Sequence, residues 1–440
     1  MPQPERRSFL LPRLRLVWTR VRDSLWFLPG VLTLVGAVLA VVVTQAEERG
    51  VFDVELLRSW VFGGGVDGAR GVLSVIAGGL ITVTGVVFSV TIVALQLASS
   101  QFTPRVLRNF TADRGNQLVL GVFIGTFTYT LLVLRTIRSA DDGETPFVPR
   151  VAVTLAVVLV LVAIGFLIFY INHSARSIQV AAILDRVTQR TLGDIHRLFP
   201  EQVGHADPAA PPDPADEPSD TVMADASGYL QAVDGHSLFQ LGKGRRLVIA
   251  MEPDIGDFVL PGQVLASVSP PGAVDEELCR EVRRAFLLGP ERTPDQDAEF
   301  GIVEISDIAM KALSPGINDP TTACRCIDRL GEILLEMGRR SPPRTWRTEE
   351  GRVHYRARHP TFDRAVALSF DQVRHFGASN PSIAQKLLEV LARLASLVPP
   401  SRRPVLLAQA QAVLEDARAQ IESAGDRVRI EEIANRLLRR

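Results

Sequence analysis

From Gly71 to Ala98 the sequence contains no Asp, Glu, Lys or Arg. An apolar run longer than about 18 residues is the signature of a helix that crosses a bilayer. As a helix rising about 1.5 Å per residue it measures ~42 Å against a ~30 Å hydrocarbon core, so it must tilt or protrude. Three further runs, at about 25–46, 117–137 and 151–172, have the same character. Four such runs leave one fold class for this half of the chain, an α-helical polytopic membrane protein with four transmembrane helices. A basic segment before an apolar run can also be a cleaved signal peptide. Here the first run is too long for that, and no small-residue cleavage pattern precedes Glu47.

Orientation follows from the distribution of basic residues. Residues 47–70 carry Glu47, Glu48, Asp53, Glu55 and Asp67 against three arginines, and 138–150 carry Asp141, Asp142 and Glu144. Both loops read as external. Residues 1–24 are arginine-rich, 99–116 carry Arg105, Arg108 and Arg114 against Asp113, and Arg176, Arg186, Arg190 and Arg197 follow the last run. These segments read as cytoplasmic, which places both termini inside an inner (plasma) membrane. The formal charge is −1 and no region holds a basic excess without nearby acids, which argues against nucleic acid as a partner. The three cysteines, Cys279, Cys324 and Cys326, form neither a disulfide ladder nor a C-x-x-C pair. They read as reduced thiols on helix faces.

The second run has two faces. At 100° per residue Ser74, Gly78, Thr82, Gly85, Ser89 and Gln96 fall within about 40° of one meridian. Val83, Val87, Val90 and Ala94 lie opposite. Thr84 and Thr91 sit off the stripe and can bond back to the preceding turn. A small-polar stripe permits close helix packing; in an oligomer it can instead line a water-filled pathway, and the amide of Gln96 needs a partner or water. The third run places Gly121, Gly125 and Thr128 on one face that Arg135 continues, where a long cationic side chain can snorkel to the headgroups. The fourth is uniformly aliphatic, as a lipid-facing helix would be.

No Pro or Gly interrupts 172–192, so the fourth helix is expected to continue beyond the membrane. Arg176, Gln179, Arg186, Arg190 and Arg197 share one stripe of that extension. The stripe can meet anionic headgroups, draw anions to a pathway, or be a solvated face with Asp194 pairing Arg190 and Arg197. The chain thus divides into a basic N-terminus (1–24), a transmembrane domain (25–172), a juxtamembrane helix (173–199), a Pro/Ala/Asp-rich linker (200–222), a small β-rich unit (223–270) and a helical cytoplasmic domain (271–440). The last two form a C-terminal α+β domain, a small β-unit plus a helical bundle.

Within the β-rich unit, Tyr229–Val233 and Arg246–Met251 read as strands, and Gly256–Val268 as turn, strand, turn and strand. That Gly-Asp-x-Val-x-x-Gly-x-x-Leu pattern resembles half of a lipoyl- or biotinyl-type barrel. The one lysine nearby, Lys243, lies between Gly242 and Gly244 rather than in a carrier motif, so a structural β-unit is expected. Helices are expected at 273–288, 297–313, from Pro320 through Leu334, and at about 362–376, 380–397, 402–423 and 426–439. In the loop Ser314-Pro-Gly-Ile-Asn-Asp-Pro320, Pro315-Gly316 makes a turn and Asn318 or Asp319 can cap the helix that has Pro320 in its first turn.

Three separated stretches, Ser99–Arg108, Phe300–Ala309 and the Ser314–Thr322 loop, together resemble the bacterial predicted-membrane-protein family known as domain of unknown function 2254. The resemblance spans nearly the whole chain. It implies the four-span topology and no catalytic residue. Glu304, Asp307 and Asp319 could hold a divalent cation, but a charged helix face with a capping residue accounts for them equally, and His354, His359 and His375 match no metal spacing. No phosphate loop, nucleophile elbow or acid/base pair is present. Neither enzyme activity, cofactor nor metal is expected. The expected function is an oligomeric pore or transport-type protein with a cytoplasmic gating or assembly domain. The alternative is a membrane-anchored sensor or scaffold whose C-terminal half binds a partner. Its partners would be the lipid bilayer and further copies of itself.

Overall fold

The structure is a computed structural model and describes residues 21, 24–52, 61–101, 113–139, 147–177, 179–199, 218–343 and 345–438. The basic N-terminal segment, Arg105 and Arg108 with most of the Ser99–Arg108 stretch, the acidic stretch 141–146 and most of the linker lie outside those residues. The chain divides into two compact units, one within Leu16–Ser100 and Pro104–Ala182, the other mainly Ile183–Arg440.

Among its described residues the first unit holds four helices, α1 (Phe27–Glu48), α2 (Val66–Gln101), α3 (Arg114–Thr136) and α4 (Arg150–Ser177). All four are long and apolar enough to cross a membrane. The central one is α3, with 56% of its most apolar stretch buried against 22% or less in the others. Its glycines explain why. A Cβ on Gly125 would stand 2.7 Å from the Leu32 carbonyl oxygen, one on Gly121 would strike the Leu32 side chain, and one on Gly36 would strike the Gly125 carbonyl. So α1 and α3 cross backbone to backbone, as small residues permit in lipid. Along α2 the buried edge is Ala69, Leu73, Ala77, Leu80, Val87 and Ala94. Leu73 packs with Tyr129 and Val133 of α3 and Val153 of α4; Val87 packs with Phe123 and Tyr170. At one end Glu47 accepts from the backbone N–H groups of Val151 (3.0 Å) and Ala152 (3.2 Å), so a carboxylate from α1 caps the otherwise unpaired start of α4.

The second unit opens with α5 (Val180–Leu198). The expected continuous extension of the fourth helix is therefore corrected: α4 ends at Ser177 and a new helix begins three residues on. No Pro or Gly forces the break. The strongly amphipathic α5 buries Ile183, Leu184, Val187, Thr188, Thr191 and Ile195 in its own unit, whereas α4 is apolar all round.

Among the described residues eight strands follow in two sheets. β1 (Asp220–Met223), β2 (Gly228–Val233), β3 (Val248–Met251), β4 (Phe258–Val259), β5 (Val264–Ser269), β6 (Phe286–Gly289), β7 (Trp346–Glu349) and β8 (Arg352–Arg356) form one sheet in the order β1-β5-β3-β8-β7 and a second in the order β4-β2-β6. The β3–β8 pair is parallel and the others antiparallel. Three departures from expectation stand out. The first sheet begins at Asp220, inside the segment read as linker. A helix α6 (Gly235–Arg245) separates the first two expected strands. The helix expected over 273–288 stops at Ala285, as α7 (Glu276–Ala285), and continues as β6. The sheets share one core that includes Leu230, Leu238, Ile249, Val268 and Leu278, so strands far apart in sequence complete what a local reading takes for a separate module. The helical part comprises α8 (Phe300–Ala312), α9 (Pro320–Arg339), α10 (Phe362–Gly377), α11 (Pro381–Leu397), α12 (Arg403–Gln420) and α13 (Ala424–Leu438). Each lies within a few residues of its expected position.

Candidate functional site

The α2 stripe is the feature that sequence reasoning singled out, and the described residues of the chain leave all of it uncovered. Ser74, Gly78, Thr82, Gly85, Ser89 and Gln96 are each exposed, and a Cβ on Gly78 or Gly85 would meet nothing within 4 Å. Among the described residues the stripe therefore packs against no other helix of the chain, unlike the glycines of α3. Its hydroxyls are compatible with lipid where they bond back: Thr82 donates to the Gly78 carbonyl at 2.9 Å. Thr84 and Thr91 bond back as expected, to Leu80 (2.6 Å) and Val87 (2.8 Å). Gly85 also borders an apolar groove of 370 Å³ with Trp26, Pro29, Ile81, Phe88 and Ile124. Arg135 is exposed in the last turn of α3.

The end of the bundle at the start of α3 holds a polar cluster that sequence reasoning missed. Asp113 caps α3 by accepting from the Gly115 N–H at 2.8 Å, and the same oxygen lies 2.9 Å from His173 Nε2 on α4. Gly115 allows that approach, since a Cβ there would stand 2.7 Å from His173 Nε2. Phe169 stacks on His173, and Asn116 and Gln117 are buried beside the cap. The Thr91 and Tyr170 hydroxyls hydrogen-bond across α2 and α4 at 2.8 Å. The signal in the sequence was the Asp113-x-Gly115-Asn116-Gln117 start of an apolar run, a helix N-cap pattern. Nothing local, however, could pair it with a histidine sixty residues on.

The basic set does not form one stripe. Arg176 is exposed in the last turn of α4, while Arg186, Arg190 and Arg197 belong to α5. Arg197 pairs with Asp194 at 2.9 Å, as the solvated-face reading has it, and also donates to the Asp295 carbonyl at 2.7 Å. Arg190 instead reaches Glu304 Oε2 on α8 at 2.5 Å, where the carboxylate is fully buried, and lies over the Phe300 ring. Gly301 in the first turn of the same helix leaves room for the Thr191 side chain. A residue read as surface charge is thus the counter-ion of a core carboxylate.

The motif loop is exposed from Pro315 to Asn318. The Ile317 N–H donates to the Ser314 carbonyl (3.0 Å), closing a turn over Pro315-Gly316, and the Asp319 N–H donates to the Ala312 carbonyl (2.8 Å). Asn318 takes the left-handed conformation (φ 48°) that Asn tolerates, and Pro320 opens α9. Of the two candidate caps, Asp319 takes the role, accepting from the Thr322 N–H (3.0 Å) and hydroxyl (2.6 Å). The hydroxyl first, then the N–H, hold its carboxyl below the usual range. A group whose folded pKa is depressed stabilises the fold above the ordinary carboxylate range and loses that contribution as pH falls through its folded value. Asp319→Ala is expected to cost about 1 kcal/mol at neutral pH and less in acid, read by thermal unfolding at two pH values. An equal loss at both would remove the cap from the account.

With Glu304 held by Arg190 and Asp319 by Thr322, the carboxylates once grouped as a cation site point to separate tasks. Among the described residues no three His, Cys, Asp or Glu side chains gather as a metal group. Burial pushes the Cys326 and Cys324 thiols up, which keeps them protonated. A charged network unseen in the sequence surrounds Arg364 at the start of α10. Its Nε donates to Glu299 (3.0 Å), Nη1 to Asp254 (3.0 Å) and Nη2 to Asp257 (3.1 Å). It ties the turn between β3 and β4 to the first turns of α8 and α10.

A family profile described as a predicted membrane protein, domain of unknown function 2254, matches residues 22–393. An uncharacterized protein of Mycobacterium bovis and another of Mycobacterium tuberculosis are each 33% identical over 434 residues, covering 96% of this chain and 81% of the relative. No solved structure matches.

Proposed function

The chain belongs to the domain of unknown function 2254 family of predicted membrane proteins, and from that premise we propose that it is an oligomeric pore or transport-type membrane protein without enzymatic activity. Its second helix faces further copies of the chain, and its C-terminal unit, on the cytoplasmic side by the basic-residue distribution, assembles or gates it. One observation carries this reading: the small-polar residues of α2 are exposed along its whole length while Leu73, Leu80, Val87 and Ala94 on the other side are buried. Lipid offers no partner to the Gln96 amide, whereas a second copy or a water-filled axis does. The test is paired. Ser89→Cys should form a disulfide-linked dimer in native membranes under mild oxidation. Liposomes carrying the protein should pass small ions, and Ser89→Leu or Gln96→Leu should cut that flux about tenfold or more, the size of a desolvation barrier of roughly 1.4 kcal/mol or above. Cross-linking without flux leaves the stripe as a packing face; absence of both overturns the proposal.

A second reading, a membrane-anchored sensor or scaffold, draws on a different observation. The C-terminal unit has a continuous core of its own, in which residues such as Leu230, Ile249 and Val268 are fully buried.

A further inference from the structure

Near the end of the bundle where α1 and α3 begin, the apolar groove of 370 Å³ opens between α1, α2 and α3. Its floor is Pro29 and Leu120, both buried, and its rims are Trp26, Ile81 and Phe88, all exposed. The α2 helix closes on α3 and α4 through Leu80 and Val87, and the groove is the gap left between α2 and α1. The one hydroxyl on its wall, Thr84, is committed to the Leu80 carbonyl at 2.6 Å. Gly85 leaves a notch on the α2 side, since a Cβ there would meet nothing within 4 Å. Water needs several polar partners and finds none in such a space, and an empty void forfeits the dispersion contacts of its lining.

Depth and charge narrow the occupant. Trp26 is the N-cap of α1, where a tryptophan sits at the membrane–water interface. Ile124, the deeper of the two groove residues on α3, lies ten residues beyond Arg114, the first residue of that helix. At about 1.5 Å per residue this is ~15 Å, half of a ~30 Å hydrocarbon core. The groove therefore runs within one leaflet, from headgroup level toward the midplane. It follows α2 from Ile81 to Phe88, about 10 Å, so its volume gives a section about 6 Å wide, against roughly 10–12 Å for a helix with its side chains. At the headgroup end Arg114 of α3 and Arg176 of α4 are exposed, whereas Asp113 is buried and held by His173 and the Gly115 N–H. Among the described residues this end thus presents arginines and no exposed acid, and Arg20 and Arg22 precede Trp26 in the sequence. Such an end attracts anionic headgroups.

We propose that the groove is a lipid site. One acyl chain of an anionic phospholipid, from the leaflet in which α1 and α3 begin, lies between Trp26 and Phe88 with its headgroup toward Arg114 and Arg176. The chain fills what the side chains of α1 and α2 leave open. This holds whether or not the small-polar stripe of α2 meets a second copy.

The test is tryptophan quenching in full-length protein reconstituted into phosphatidylcholine vesicles that contain a small fraction of phosphatidylglycerol with dibrominated chains. Trp26→Phe supplies the signal of the other three tryptophans, and the difference reports Trp26. Per brominated lipid, phosphatidylglycerol should quench Trp26 about fivefold more than dibrominated phosphatidylcholine does. That ratio corresponds to the roughly 1 kcal/mol that one arginine gains near an anionic headgroup. Gly85→Leu fills the notch, and Phe88→Ala removes a rim that is not part of the stripe; each should bring the ratio down to about one. Arg114→Gln combined with Arg176→Gln should do the same while leaving quenching by phosphatidylcholine unchanged. An unchanged ratio in Gly85→Leu with the parent's melting curve overturns the proposal, and so does equal quenching by the two lipids in the parent. Protection of Trp26 from both lipids, together with a disulfide-linked dimer of Trp26→Cys under mild oxidation, would overturn it in favour of a second copy in the groove.

Discussion

Gly125→Leu is expected to prevent the membrane unit from folding, with a cost of at least about 3 kcal/mol, the upper end of ordinary overpacking penalties. The reason is what the new side chain would meet. At Gly125 the obstacle is the Leu32 backbone, its carbonyl oxygen 2.7 Å and its carbonyl carbon 3.2 Å from the added Cβ. A side chain could rotate aside; a helix backbone can only move away, and α1 cannot do so without opening the crossing at Gly36 as well. Gly85→Leu is the control. The substitution is chemically the same and lies on a helix of the same unit, yet an added Cβ there meets nothing within 4 Å, so the protomer should change by about 0.5 kcal/mol or less. Size-exclusion profiles in detergent separate the two: Gly125→Leu should aggregate or vanish, and Gly85→Leu should run as a folded protein. If both behave alike, α3 is not held by that crossing.

Arg190→Ala should cost about 3–5 kcal/mol in the C-terminal unit, because removing one partner leaves a buried carboxylate without its counter-ion. Glu304 is fully buried on α8, a helix that also lines the core through Ile302, Ile305 and Ile308. Arg190→Met combined with Glu304→Met should recover most of the loss, since a buried ion pair replaced by apolar groups of similar volume is often neutral. Hydrogen–deuterium exchange over 300–312 in the full-length protein reads the effect locally. Faster exchange in the single variant and its reversal in the double variant are expected. Unchanged exchange in Arg190→Ala would show that the pair contributes nothing.

These two sites mark where a one-dimensional reading stops. Gly121, Gly125 and Gly78 share one sequence signature, small residues at helical spacing in an apolar run, and that signature permits close approach without naming the partner. Only the assembled bundle assigns Gly125 to a backbone crossing and leaves Gly78 facing outward. Arg190 shows the same limit for charge. Spacing on α5 offers Asp194 as its partner, and the stronger partner lies 114 residues away. The Asp113–His173 pair and the Arg364 network are likewise long-range: each joins residues whose local patterns speak only of a cap or a helix start.

The sequence by itself determined what depends on neighbours along the chain. That covers the four long apolar runs and the helices α8 to α13 of the C-terminal unit to within a few residues. It also covers the turn at Pro315-Gly316 and the back-bonding of Thr84 and Thr91, since hydropathy, caps and hydroxyl geometry act over one helical turn. Only the tertiary structure decided which face of α2 stays uncovered, where the fourth helix gives way to α5, and that β6, β7 and β8 complete the sheets. It also decided that two carboxylates from one turn, Asp254 and Asp257, share Arg364 with Glu299 at the N-cap of α8. Each of these rests on burial and charge pairing between segments distant in sequence, and the free energy of such contacts exists only once the segments meet.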